Sequence, residues 1–192
     1  MKRKSIIAGV SVLAVILVVV LFVVVWKDKE LVTVFMKGEG GKIGDTIVID
    51  VKVSDIPGEY QASSFVIHFD NQKLKFKGLK QGNVATVGKS SGSTVYPEWQ
   101  YDVDSANTTG EISTMYLDMT AGEQPFSSRG FRKKKQDVLF RVEFEILTTC
   151  AVSDKLSLEV LQATFASVDE KMSLTLQNEK ILAESYQITV KE

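Results

Sequence analysis

Beyond residue 30, hydrophobic and polar residues alternate along most of the chain with a period close to two. The alternation is clearest in 138–146, where Val138, Phe140, Val142, Phe144 and Ile146 are separated by residues that are mostly charged. This period predicts β-strands with one buried face and one solvent face. We expect further strands at 31–36, 47–53, 63–69, 74–77, 112–119, 156–161 and 186–190.

Clusters of Gly, Pro, Asp, Asn and Ser separate these segments and predict turns. One such cluster is Asp55-Ile56-Pro57-Gly58, and another is Ser90-Ser91-Gly92-Ser93. No segment shows a convincing amphipathic helical period, and no internal repeat is visible. The pattern predicts an all-β domain at 31–192, a β-sandwich or jelly roll.

The N-terminal part of the chain differs from the rest, because an uncharged apolar run begins at Ile6 and ends at Trp26. As a helix this run would be about 30 Å long, which matches the hydrocarbon core of a bilayer. We therefore predict a transmembrane signal-anchor helix at 6–26. A cleaved signal peptide is the alternative, but the run lacks small residues at its end, and Trp26 suits the headgroup level.

The charges that flank this run predict its orientation. Lys2, Arg3 and Lys4 precede it, whereas the charges of 27–30 cancel, so residues 1–5 are expected in the cytoplasm. The predicted localisation is the cell membrane, with a single span and the 31–192 domain outside. The short juxtamembrane linker 27–30 keeps that domain within about 15–18 Å of the lipid.

The overall charge gives no sign of a nucleic-acid partner. The chain has 23 basic and 24 acidic residues, and its one basic cluster, within 129–135, is typical of a solvated loop. The chain has a single cysteine, Cys150, so an intramolecular disulfide is excluded. The domain must therefore be stabilised by its apolar core.

Five motifs, in this order along the chain, resemble those of the cohesin domain family. A Gly44-Asp45-Thr46 turn leads to a strand that ends in Asp55-Ile56-Pro57, and the strand 64–70 reads S-F-V-I-H-F-D. Further on come Gly110-Glu111-Ile112-Ser113, the segment 118–124 (D-M-T-A-G-E-Q) and the turn Ala163-Thr164-Phe165. The resemblance covers nearly all of 31–191.

This resemblance implies a nine-stranded jelly-roll β-sandwich, a plan shared with carbohydrate-binding modules. It also implies a non-enzymatic docking domain that binds a protein partner, with a dockerin-type module as the candidate, in an extracellular polysaccharide-degrading or cell-surface assembly. The chain itself is expected to need no cofactor, because any calcium would belong to the dockerin-type partner.

The resemblance also suggests which sheet carries the partner site. The matching strands are 63–69, the segment near Tyr96, and 112–119. If Phe65 and Ile67 point into the core, alternate residues point outward. The expected partner-binding residues are Ser64, Val66, His68, Tyr96, Met115 and Leu117.

Three neighbouring aromatic residues support a different hypothesis, a membrane-tethered carbohydrate-binding domain. Tyr96, Trp99 and Tyr101 lie within six residues and would form a platform for sugar rings. Against this, large aromatic side chains are usually buried, so some of them are expected to close the end of the core.

An enzyme is the least favoured class. His68 is the only histidine, with Asp70 two residues away, and no G-x-S-x-G motif accompanies it. One histidine and one distant cysteine supply too few ligands for zinc. We therefore predict neither catalytic nor metal-binding residues.

Overall fold

The alternating segments form the expected strands. The computed structural model describes residues 32–54, 56–87, 94–120, 122–127 and 137–192. The strands in chain order are β1 (Val32–Gly38), β2 (Thr46–Val53), β3 (Glu59–Tyr60), β4 (Ala62–Phe69), β5 (Leu74–Gln81), β6 (Thr86–Val87), β7 (Thr94–Val95), β8 (Gln100–Tyr101), β9 (Glu111–Leu117), β10 (Phe126–Ser127), β11 (Val138–Ile146), β12 (Lys155–Ala166), β13 (Leu174–Thr175), β14 (Ile181–Ala183) and β15 (Tyr186–Thr189).

Two large sheets organise these strands. The first has the order β14-β1-β2-β11-β5, and the second has the order β13-β12-β4-β9-β8, with β15 also paired to β12. Among the described strands β1 and β14 pair in parallel, and the other pairs are antiparallel. Two short pairs, β10 with β3 and β6 with β7, complete the arrangement.

Aromatic side chains from both sheets meet in one core. The rings of Phe65 on β4 and Phe140 on β11 are 5.5 Å apart, and those of Phe69 and Phe144 are 5.1 Å apart. The two sheets therefore pack face to face, which confirms the predicted β-sandwich. The described residues form fifteen strand segments, more than the nine expected, because several segments have only two or three residues.

One short helix corrects the prediction of a domain without helices. Helix α1 (Val103–Thr109) connects β8 to β9, and a 3-10 turn (Glu170–Met172) lies between β12 and β13. The Asp102 carboxylate caps α1 by accepting from the Ser105 backbone N–H (2.9 Å), and Gly110 ends the helix at a φ of 75°.

Ion pairs cover the outward face of the first sheet. Side chains of opposite charge face each other across β2, β11 and β5, so this face consists largely of paired charges. The pairs are Arg141 with Asp50, Lys52 with Asp137, Lys80 with Glu143, and Lys77 with Glu145.

The predicted anchor helix 6–26, its flanks 1–5 and 27–30, and the basic cluster within 129–135 lie outside the described residues. Within the described part of the chain, no helix has the length and apolar character needed to cross a bilayer.

Candidate functional site

The outward side chains of β4 and β9 form a continuous surface on the second sheet. Across the pair, Ala62 lies opposite Leu117, Ser64 opposite Met115, and His68 opposite Glu111. Directly opposed residues of antiparallel strands point to the same side of a sheet. We call this surface, with the adjoining residue Tyr96, the β4–β9 face.

The inward residues of the same strands explain why these side chains point outward. Phe65, Ile67 and Phe69 are fully buried in the core, and Ile112 on β9 is buried opposite Ile67. Because side chains alternate along a strand, Val66 and Met115 must lie on the other side. The alternation expected from the sequence is therefore present on both strands.

Apolar side chains dominate one end of the β4–β9 face. Met115 is 48% exposed, Leu117 is 49% exposed and Tyr96 is 43% exposed. These three residues line an open cleft of about 410 Å³, whose other walls are Val95, Glu98, Gln100, Tyr116, Met119, Thr120 and Gln124. Exposed apolar side chains that cluster in this way are typical of a surface that binds a partner.

A buried carboxylate holds the loop beside this cleft. Asp118 accepts hydrogen bonds from the Thr120 backbone N–H (2.9 Å) and from the Gln124 backbone N–H (3.1 Å). Burial raises the pKa of the Asp118 carboxyl, but the hydrogen bonds from Thr120 and Gln124 outweigh this effect and lower its pKa below the usual value. The loop thus borders the cleft in a fixed conformation.

Tyr116 ties the same loop to β9 from the core side. Its hydroxyl donates to the Gln124 backbone carbonyl at 2.8 Å. Burial, followed by the nearby Asp118 charge, raises the pKa of Tyr116 to about 12. The hydroxyl therefore stays protonated and remains a donor across the pH range in which the domain would work.

A β-bulge adds an apolar residue that the sequence analysis did not identify. The register of β12 against β4 shifts between Val160 and Gln162, so Leu161 has no partner residue opposite it. Leu161 is exposed, whereas Val160 before it is buried. A bulge leaves no distinct pattern in the sequence, because Val160-Leu161-Gln162 does not reveal which residue is unpaired.

The three aromatic residues of the sugar-binding hypothesis do not form a flat platform. Trp99 is only 8% exposed, and its ring packs 4.7 Å from that of Phe140 in the core. Tyr96 and Tyr101 remain exposed, and all three line a smaller cleft of about 290 Å³. Trp99 thus closes the core, because residues 96–99 are not in a strand and strict alternation does not apply to them.

The histidine and its acidic neighbour do not form a catalytic pair. The Asp70 carboxylate accepts from the Gln72 backbone N–H at 3.0 Å, as expected for a turn residue, and His68 is exposed on the sheet. Within the described ranges, no group of three or more His, Cys, Asp or Glu side chains is placed to hold a metal ion.

Comparison with protein families identifies the class to which this fold and surface belong. The chain matches the model of the cohesin domain over residues 32–181, which is more than half of its length. The chain therefore belongs to the cohesin family, as its motifs indicated. Cohesin domains are non-catalytic protein-docking modules, so the protein is a docking module and not an enzyme.

Solved structures share the fold at low sequence identity. The third cohesin of ScaC from Acetivibrio cellulolyticus, solved in complex with the ScaB dockerin, is 17% identical with a TM-score of 0.62; the alignment covers 84% of this chain and 100% of that one. The OlpA cohesin from Clostridium thermocellum, in a type I complex with a dockerin, is 18% identical with a TM-score of 0.58, covering 84% and 99%.

A structure from outside the cellulosome also resembles the chain. The non-cellulosomal cohesin from the archaeon Archaeoglobus fulgidus is 12% identical with a TM-score of 0.55, over 84% of this chain and 92% of that one. Comparison with curated protein sequences gives no match. At these identities the structural likeness shows the fold alone.

Proposed function

We propose that the chain captures a dockerin-type protein module through the β4–β9 face, in an extracellular polysaccharide-degrading or cell-surface assembly. The residues assigned to the contact are Ser64, Val66, His68, Tyr96, Met115 and Leu117, with Leu161 added from the structure. Any calcium belongs to the partner module, and this chain contributes the complementary surface.

The contrast between the two outward sheet faces supports this proposal most strongly. The first sheet presents paired charges, which are already satisfied and have little to gain from a partner. The β4–β9 face instead presents half-exposed Met115 and Leu117 beside a cleft. Covering these apolar side chains would remove them from water, which is the main favourable term in most protein association.

The proposal places the docking module at a membrane. The apolar run from Ile6 to Trp26 supports a single span, with residues 1–5 in the cytoplasm and the domain outside. Because the linker 27–30 is so short, the domain stays near the lipid surface. Its partner must therefore approach the membrane closely.

Direct binding measurements test the proposal. The full chain, solubilised in detergent and immobilised, is exposed to a panel of purified dockerin modules with calcium present. We expect at least one module to bind, and we expect Met115→Asp to abolish that binding while the circular dichroism spectrum is unchanged. Binding that survives Met115→Asp would remove the β4–β9 face from the proposal, and no binding by any module would contradict the assigned partner.

Sugar binding is the second candidate, and the cleft that Tyr96, Trp99 and Tyr101 share is the observation in its favour. Its volume of about 290 Å³ is at the lower limit for small-molecule sites. Affinity electrophoresis of the full chain with cellulose and xylan tests this candidate. Retardation that Tyr101→Ala removes would support it, and unchanged mobility with every polysaccharide would contradict it.

A further inference from the structure

Three carboxylates on the second sheet have no ion-pair partner within the described part of the chain. Glu111 lies on β9, Glu159 on β12 and Glu98 beside the cleft, and none of them takes part in an ion pair there. The acidic residues on the outward face of the first sheet are, in contrast, paired with Lys or Arg. The unpaired carboxylates thus lie on the sheet whose apolar residues are exposed.

Two of these carboxylates flank the single histidine in a row across three strands. His68 lies opposite Glu111 on β9 and opposite Glu159 on β12, and all three side chains are exposed. Adjacent strands are about 4.8 Å apart, so the row brings two carboxylates to either side of one central position. No basic residue of the described chain forms an ion pair there.

This row is close enough to the apolar cleft to fall under the same partner. Met115 and Glu111 are four residues apart on β9, which is about 13 Å along the strand. A stable interface covers about 800 Å² on each partner, which corresponds to a patch about 30 Å across. A partner centred on Met115 and Leu117 would therefore also cover Glu111.

Covering unpaired carboxylates without a counter-charge is unfavourable, because each ion loses its hydration and gains nothing in return. A Lys or Arg side chain of the partner would remove this penalty, and an Arg guanidinium has several donors to share between two carboxylates. An acidic side chain of the partner at the same position would add repulsion. Charge complementarity therefore selects the chemistry of the partner at this end of the face.

We propose that the partner inserts a Lys or Arg side chain over His68, between Glu111 and Glu159, while its apolar residues fill the cleft of Tyr96, Met115 and Leu117. This inference rests on the proposed docking function and specifies the partner for it. A partner helix lying along the strands would need about nine residues to reach from the apolar contact to the basic one.

The test uses the detergent-solubilised full chain and a displayed library of one dockerin scaffold, in which the exposed helix positions are randomised. Clones are selected for binding to the wild-type chain. Their affinities are then measured for the double variant Glu111→Gln with Glu159→Gln. The control, Glu170→Gln with Glu184→Gln, changes the net charge equally but involves exposed glutamates on other elements.

The proposal predicts that selected clones are enriched in Lys or Arg at one end of the contact helix. It also predicts that Glu111→Gln with Glu159→Gln weakens binding about tenfold and reduces its salt dependence, while the control pair stays within about twofold. His68→Lys should weaken binding as well, because it places a positive charge where the partner's cation lies.

Two contrary outcomes have different meanings. Clones that lose binding in Met115→Asp, yet show no enrichment in basic residues and bind Glu111→Gln with Glu159→Gln normally, would overturn the cation contact and leave the docking function intact. A library in which no clone binds the wild-type chain would overturn the docking function, and this inference with it.

Discussion

The side-chain amide of Asn107 forms hydrogen bonds with both backbone polar groups of Phe76. Its Oδ1 accepts from the Phe76 N–H at 2.8 Å, and its Nδ2 donates to the Phe76 carbonyl at 2.9 Å. Phe76 lies on β5, at the edge of the first sheet, where backbone groups would otherwise be unpaired. A residue of α1 therefore takes the place of a neighbouring strand, and it fixes the helix that leads into β9.

Asn107→Ala should lower the free energy of unfolding by about 2 kcal/mol, because it leaves two partly buried backbone groups without partners. Thr108→Ala is the control, since its hydroxyl makes only an exposed bond to the Asp104 carbonyl in the same helix. That control should change stability by less than about 0.5 kcal/mol. Urea unfolding followed by tryptophan fluorescence measures both, and equal effects would contradict the role assigned to Asn107.

The loop bordering the cleft should loosen at acid pH through Asp118. Because the folded-state pKa of this carboxyl is lowered, its contribution to stability is present at neutral pH. The contribution is lost as the pH falls from about 4 towards the lower pKa of the folded state. Asp118→Asn should cost about 1–3 kcal/mol at pH 7, since its amide NH₂ cannot accept from the Gln124 N–H.

The difference between wild type and Asp118→Asn should accordingly shrink at pH 3. Unfolding in urea at pH 7 and at pH 3 gives the four free energies needed. A difference of the same size at both pH values would mean that the Asp118 charge does not stabilise the loop. A variant at an exposed carboxylate, Glu123→Gln, controls for the general effect of acid.

The predicted orientation in the membrane can be tested with the single cysteine. Burial raises the pKa of the Cys150 thiol, and its Sγ lies 3.3 Å from the Lys73 carbonyl oxygen, so the wild-type thiol should react slowly. Ser157→Cys places a thiol at an exposed position of β12. A membrane-impermeant maleimide should label this variant on intact cells and leave the wild type unlabelled. Labelling that requires permeabilised cells would contradict the outside location.

The period of two predicted which side of β4 and β9 faces the core, because regular antiparallel strands allow little freedom in side-chain direction. Phe65 and Met115 lie on the sides expected. The register that places Ser64 beside Met115 was not predictable, since it depends on contacts between segments far apart in the sequence. For the same reason the row of Glu111, His68 and Glu159 was not visible before the strands were paired.

The misplaced residues lie where regular structure is interrupted. Helix α1 was missed because Val103–Thr109 contains β-branched and short polar residues of low helix propensity, although Asp102 and Gly110 carry recognisable capping signals. Trp99 was assigned to a strand, yet it lies in an irregular segment and turns into the core. Leu161 was missed because its exposure depends on a bulge.

Leu117 and Leu182 allow the most direct test of the docking account, because they are the same residue type with nearly equal exposure, 49% and 51%, on different sheets. The measurement is the Kd of a dockerin module for the full chain carrying Leu117→Asp or Leu182→Asp, by titration calorimetry. We predict that Leu117→Asp weakens binding by about 30-fold or more, as for a central contact residue, and that Leu182→Asp leaves it within about twofold. Equal losses in the two variants, or a loss confined to Leu182→Asp, would contradict docking through the β4–β9 face.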